Sequence, residues 1–409
     1  MDEPTSSAMP NMRENADRAT GFRWFLMNTG SWFGAWGMQQ VLFSWIVVGE
    51  LQASGDWVGL AQTSIMLPSL VLLMAGGAVA DRTDPRRVLM LLHLLAAIPM
   101  LALAALSALG HLDMGLLILY AFSIGTLQAF TMPARDLLLS RVAGENMMRS
   151  VTAMTAVQFG MQAVGTLLAA GARFVGSAPM LVLQALIVAA GAFGARFLPR
   201  SEPQRPSGGR IRWSEMRAGV SIVAKNPSLR LPVVMVVAVG ILFLGPYTVV
   251  FPLLVRDYYH GGVASLSLVL MMFPLGTILG SLILRRRGVR RKGLAALWAL
   301  GLGATAQIVI STGVPFLLMV LLTLFWGLCG AVFINSTRTL FQEAAPALER
   351  GRVLSIYQLG FTGGAPLGSL WVGFSVTAVG LHTTLLVSST CMIFLILGMA
   401  LLTRTRELE

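Results

Sequence analysis

Long apolar runs separated by short polar punctuation recur along the whole chain. Each is about 20 residues or more, the length a helix needs to cross the ~30 Å hydrocarbon core of a bilayer. In lipid every backbone amide must be satisfied within its own segment. Runs of this length therefore form helices, because barrel strands would be about ten residues long and alternate in polarity. The pattern predicts an all-α membrane protein of twelve transmembrane helices, at 22–49, 57–79, 87–109, 115–138, 151–172, 177–198, 229–255, 264–284, 293–311, 314–340, 353–378 and 382–403. One long polar stretch, 199–228, is rich in Arg, Pro, Ser and Gly. It separates an N-terminal six-helix bundle (22–198) from a C-terminal one (229–403), with tails at 1–21 and 404–409. Within this linker, Trp213, Met216, Val220 and Val223 share one face of a candidate helix whose other face carries Arg217 and Lys225. That suits a helix lying on the membrane surface; a plain linker is the competing reading.

Composition agrees. The chain is 56% hydrophobic and 12% charged, about half the charge of an ordinary soluble domain. The formal net charge of +12 could point to nucleic acid, but its placement does not. With the N-terminus inside, all but two of the 30 basic residues fall on one side, Arg173 and Arg256 being the exceptions. This is the positive-inside pattern, and it predicts both termini in the cytoplasm. The tail 1–21 is polar with four acids and lacks the apolar stretch of a signal peptide, so it reads as a cytoplasmic tail. Cys329 and Cys391 both lie inside apolar runs, which excludes a disulfide framework or a thiol metal cluster.

The halves echo each other. At an offset of 203 residues, Gly77 pairs with Gly280, Arg82 with Arg285, Arg87 with Arg290, Arg135 with Arg338, Arg149 with Arg352, Gly160 with Gly363 and Gly165 with Gly368. The coincidence predicts two six-helix pseudo-repeats. Parallel repeats with a site at their interface are the plan of a rocking transporter.

The segment Gly76-Gly77-Ala-Val-Ala-Asp81-Arg82-Thr-Asp84-Pro85-Arg86-Arg87 resembles the signature loop of the major facilitator superfamily, Gly-x-x-x-Asp-Arg followed by Gly and two basic residues. Asp84 stands in place of that last Gly, and Pro85 moves the Arg pair one position along. Gly77 is expected to let two helices approach closely, Asp81 to face the positive end of a neighbouring helix, and Arg82, Arg86 and Arg87 to anchor the loop. The resemblance implies that Asp81 meets the start of the eleventh helix near Arg352, and Arg135 of the fourth, in one of two alternating states. Phe22-Arg23-Trp24, Met132-Pro133-Ala134-Arg135, Trp213-x-x-x-Arg217-x-Gly219 and Asn226-Pro227 are similar to the enterobactin-exporter-like and macrolide-efflux-like branch. That branch implies a secondary active transporter working by alternating access, an exporter of a siderophore-like metabolite or a drug such as a macrolide, in a bacterial inner membrane. Two departures loosen the proton-antiport implication: Ala121 stands where antiporters carry an Arg four residues before Gly125, and Gly160 and Gly165 of the fifth helix lack the usual Pro, whereas Gly363, Gly364 and Pro366 occur in the eleventh.

In such a transporter the cavity is lined by helices 1, 4, 7 and 10, with 5, 8 and 11 alongside. On helix 1, Asn28, Trp32, Trp36, Gln39 and Phe43 share a face. Gln128, Thr131, Gln158, Gln162, Tyr247, Trp326, Asn335, Tyr357 and Gln358 complete the candidate set. Amides in mid-membrane are costly unless they face an interior. Aromatic faces beside amides suit a bulky, partly apolar ligand, while interhelical hydrogen bonding and packing are the competing reading. No carboxylate falls at the centre of a predicted helix, so Glu50 at the outer rim and Asp136 beside Arg135 are the candidates for proton coupling. Neither the four scattered histidines nor any other group has metal-ligand spacing, and there is no catalytic motif, P-loop or buried acid pair. The expectation is a monomeric non-enzyme without metal or cofactor, whose partners are a small-molecule substrate, the lipid bilayer and, for coupling, protons, with no nucleic acid. A nutrient or lysolipid transporter, a non-transporting sensor and an intramembrane enzyme are the alternatives.

Overall fold

The computed structural model describes residues 8–143, 147–198, 220–287, 291–344 and 350–402, and their regular structure is helical throughout. The N-terminal half holds α1 (Ala8–Trp45, continued by a π-turn at Ile46–Glu50), α2 (Gly55–Arg82), α3 (Pro85–Ala108), α4 (Met114–Val142), α5 (Met147–Ala169) and α6 (Ser177–Arg196). The other half holds α7 (Pro227–Val239, extended through Gly240–Leu244, Gly245–Leu253 and Leu254–Tyr258), α8 (Val263–Arg287), α9 (Lys292–Ser311), α10 (Phe316–Ala344), α11 (Arg350–Val379) and α12 (Leu381–Leu402). Of the linker, 199–219 lies outside the described residues; 220–225 is helical, with Val223 buried and Lys225 exposed.

Nine helices are long and apolar enough to cross a membrane among the described residues: α3 to α10 and α12. The remaining three, α1, α2 and α11, are 38, 28 and 30 residues long. Each is also long enough to cross a bilayer.

Local chemistry sets the turns. Asp84 caps α3, accepting from the Arg86 amide at 3.1 Å with Pro85 in the first turn, so the departure from the signature loop at this position is a helix start. Asp113 caps α4 through the Leu116 amide at 3.0 Å. Gly110 and Gly313, 203 residues apart, hold equivalent loops with φ of +70° and +78°, a left-handed region that favours glycine.

The duplication reaches the packing. α1 packs on α5 and α6 as α7 packs on α11 and α12; α2 packs on α4 as α8 does on α10; α3 packs on α6 as α9 does on α12. Glycines make the crossings. A Cβ at Gly37 would overlap the Gln162 carbonyl oxygen, and one at Gly165 the Gly34 carbonyl oxygen. In the second half, one at Gly368 would lie 2.6 Å from the Gly240 carbonyl oxygen. At the signature loop the close approach is made by Gly76 against the Ala129 and Phe130 backbone; a Cβ at the expected position, Gly77, meets nothing within 4 Å. Hydrogen bonds reinforce the α1–α6 contact, from Asn28 Nδ2 to the Gly191 carbonyl (2.8 Å) and from Gln184 Nε2 to the Ala35 carbonyl (3.2 Å).

Gly165→Ala should therefore lower stability by about 1–3 kcal/mol through overpacking. Gly160→Ala, whose Cβ would meet nothing within 4 Å, should stay within about 0.5 kcal/mol. Thermal unfolding of the two variants in detergent checks the pair.

Candidate functional site

Two ends of the molecule differ. The basic end carries Arg82, Arg86, Arg285 and Lys292; the distal end carries the α1–α2, α7–α8 and α11–α12 turns. At the distal end the halves are in contact. α2 runs against α11 with Gly55 beside Val376 and Gly59 beside Ser369 and Gly373, the approach continuing to Leu70 and Gly363 near mid-helix. Across this seam Thr377 Oγ1 donates to Asp56 (3.2 Å), and Thr63 Oγ1 donates to the Pro366 carbonyl (3.1 Å). The halves thus meet at the distal end.

Arg256 closes the distal seam. Its Nη1 donates to the Val48 carbonyl (2.7 Å) and the Ala53 carbonyl (2.9 Å), while Nη2 donates to Asp257 Oδ2 (2.9 Å). The π-turn that ends α1 presents the Val48 carbonyl and the loop before α2 that of Ala53, and a guanidinium reaching them is a charge-assisted tie between the halves.

Beneath the seam lies a cavity of about 60 Å³ lined by Trp36, Gln39, Gln40, Phe43 and Ser44 of α1, Gln62, Ile65 and Met66 of α2, Tyr247 and Thr248 of α7, and Leu270 of α8. Its polar groups are cross-braced. Gln39 Oε1 accepts from Tyr120 and from Gln184 Nε2 (2.8 Å), leaving the buried Gln39 Nε2 without a partner. Gln62 Nε2 donates to Ser44 (3.1 Å), Gln162 Nε2 to Gln40 (3.2 Å), and the Tyr247 hydroxyl to the Leu270 carbonyl (2.7 Å). Tyr247 also touches Trp326, with centroids 5.7 Å apart. Behind them a second cavity of about 50 Å³ is lined by Phe243, Phe273, Trp326, Cys329, Phe333 and Phe361 among others.

Of the sequence-predicted residues, the structure brings Trp36, Gln39, Phe43 and Tyr247 together at the cavity, with Gln162 and Trp326 bordering it. Others lie elsewhere. Asn28 and Trp32 pack inside the first half against His93, whose Nδ1 bonds the Leu89 carbonyl and whose Nε2 faces Asn28 at 3.3 Å. Gln128 and Gln158 are half-buried. The Thr131 hydroxyl returns to its own helix at Leu127, and Tyr357 pairs with Thr337. Asn335 turns to Ser281 at the basic end. Arg86 donates to the Arg196 carbonyl, while Arg82 and Arg87 are exposed. Arg135 is buried over the Phe33 ring (4.8 Å) and paired with the exposed Asp136 at 3.4 Å, its Nε and Nη1 unpartnered. Glu50 accepts from the Ser177 hydroxyl. The side chains of Asp81, Arg352 and Gln358, and with them the expected signature-loop contact, lie outside the described residues. Sequence reasoning missed Gln40, Ser44, Gln62, Ile65, Met66, Thr248, Leu270 and Arg256. Two signals were available: Gln62 is an amide inside an apolar run, and Arg256 is one of two exceptions to the charge rule.

A profile of the transmembrane secretion effector family matches residues 16–409. The chain belongs to this family. It is a multi-pass membrane transporter of the major facilitator type that acts on a small molecule. It is 29% identical over 391 residues to the multidrug efflux pump Tap of Mycolicibacterium fortuitum, covering 91% of this chain and 93% of that one. To macrolide efflux protein A of Streptococcus pyogenes it is 24% identical over 202 residues, 48% of this chain and 49% of the other. The crystal structure of the nucleoside transporter NupG superposes with a TM-score of 0.73 at 15% identity, covering 94% of this chain and 98% of that chain.

In this transporter, Arg256→Ala or Gly59→Val should loosen the distal seam; a Cβ at Gly59 lies 2.5 Å from the Ser369 carbonyl oxygen. Spin labels on Ser54→Cys and Val379→Cys, in a background with Cys329 and Cys391 replaced by Ser, should show a narrow short distance. Either substitution should add a longer-distance population.

Proposed function

We propose that this transporter exports a small amphipathic molecule by alternating access, with a macrolide-like drug as the substrate class and a siderophore-like metabolite as the second. The observation that carries this reading is the seam cavity, where aromatic rings and amides, and no carboxylate among its described lining, sit beneath a closed distal end. Such a lining holds a bulky neutral or anionic ligand through apolar contact and a few hydrogen bonds. The relatives named as multidrug and macrolide efflux proteins support the direction and the chemistry.

In this proposal twelve helices cross a bacterial inner membrane, the basic end and both termini face the cytoplasm, and the protein works as a monomer and not as an enzyme. The cavity as it stands has room for a few waters, whereas a drug-sized ligand needs roughly 300–1,000 Å³. Loading therefore requires the halves to part from the basic end. Protons are the proposed coupling ion, with Glu50 at the distal rim and Asp136 beside Arg135 as exchange groups. Both acids reach solvent, so each can take up or release a proton from the phase it faces.

Expression in an efflux-deficient host should lower steady-state macrolide accumulation. Trp36→Ala and Gln39→Ala should each cut export per folded molecule roughly tenfold, equivalent to about 1.4 kcal/mol of binding. Asn28→Ala should lower thermal stability while keeping export per folded molecule. Unchanged export by both cavity variants would contradict the assignment of this cavity to the substrate.

A further inference from the structure

A third cavity lies away from the seam, at the basic end of the second half. It has a volume of about 260 Å³ and is lined by Ser281, Leu284 and Arg285 of α8, Lys292 of α9, and Asn335, Ser336 and Thr339 of α10. Its origin is geometric. α8 and α10 touch backbone to backbone at Gly276 and Gly327, and again at Gly280 beside Ala331 and Leu328. Past this crossing the helices diverge, and the wedge between them is bounded by Lys292 at the start of α9.

Two kinds of observation point to a ligand here. Ser336 is 3% exposed, and its hydroxyl has no hydrogen-bond partner although it lines the wedge. A buried hydroxyl left unsatisfied costs about 1–3 kcal/mol, and a ligand oxygen or ordered water would remove that cost. The second observation is charge. Arg285 makes no hydrogen bond or ion pair among the described residues, and it is exposed at the rim. Lys292 reaches Glu343 Oε2 at 2.8 Å and is otherwise open to the wedge. The N-cap of α9, Arg291, makes no side-chain bond to the first-turn amides, so the positive end of the helix dipole adds to the field. Glu343, half-exposed, is the competing anion.

We propose that this wedge binds a phosphate group, with Arg285 and Lys292 supplying charge and Ser336 a buried hydrogen bond. A tetrahedral anion presents acceptor oxygens in several directions and can meet a guanidinium, an ammonium and a hydroxyl from three helices at once, whereas the lone pairs of a carboxylate lie in one plane. The source is either the headgroup of an anionic phospholipid, attracted by basic pockets between helices, or free phosphate. The site is independent of the seam cavity and of the direction of transport.

The test is the thermal-unfolding midpoint of the purified full chain in neutral detergent at constant ionic strength. It is titrated separately with inorganic phosphate, short-chain phosphatidylglycerol and short-chain phosphatidylcholine. A midpoint rise with both phosphate and phosphatidylglycerol supports recognition of the group itself; a rise with phosphatidylglycerol alone supports the site and identifies the lipid headgroup. Arg285→Ala and Ser336→Ala should each weaken the apparent affinity roughly tenfold, and Glu343→Gln should strengthen it by freeing Lys292. Arg285 is exposed and unpaired, so its loss should leave the ligand-free midpoint unchanged. The proposal is overturned if neither anion raises the midpoint, if phosphatidylcholine matches phosphatidylglycerol, or if all three variants respond like the unaltered chain.

Discussion

Helices in a bilayer gain nothing from hiding apolar side chains from one another, because lipid tails are just as apolar. What brings them together here is backbone contact at glycine, with dispersion and carbonyl dipoles acting at short range. The α1–α5, α2–α4, α7–α11 and α8–α10 crossings all work this way. Helices pinned at one crossing must diverge elsewhere, and the cavities lie where they do. The seam cavity sits below the α2–α11 contact, and the basic-end wedge opens past Gly276, Gly280 and Gly327. The packing and the cavities of this molecule are consequences of the same few glycines.

The two repeats share a scaffold but not its surface chemistry. Arg135 of the first half is buried over Phe33, whereas Arg338, its counterpart 203 residues on, is exposed. Arg256 reaches across to carbonyls of the first half. A seam that opens and closes needs ties that are individually breakable. The distal one consists of hydrogen bonds from Arg256 to the Val48 and Ala53 carbonyls, from Thr63 to the Pro366 carbonyl and between Asp56 and Thr377, over a glycine-lined contact. Their loss can be compensated by water at the distal end, which the deeply packed α1–α6 hydrogen bonds cannot rely on.

Much of the fold was legible in two signals: apolar run length is an imprint of lipid on sequence, and the 203-residue echo is the trace of a repeated unit that recurs in the packing. Helix ends were less so. α1 begins at Ala8, within the segment read as a tail, because a polar stretch can extend a helix beyond the apolar run. The site was half legible. Periodicity identified the α1 face holding Asn28, Trp32, Trp36, Gln39 and Phe43, but a face does not say what covers it. α3 and α6 cover Asn28 and Trp32, while the other half stands opposite Trp36, Gln39 and Phe43. Gln62 and Thr248 came from helices whose sequence carries no matching stripe. Partner choice along a helix is set by tertiary crossing points, and one sequence does not reveal where those fall.

The direction of movement is the measurement closest to the central claim. Membrane vesicles bearing the chain would be prepared in everted and right-side-out forms, energised, and supplied with radiolabelled macrolide. The account predicts chain-dependent accumulation inside everted vesicles, abolished when Thr248→Cys in the cavity wall is blocked by a bulky maleimide. Chain-dependent accumulation in right-side-out vesicles, or transport indifferent to the block, would contradict an exporter loading this cavity from its basic end.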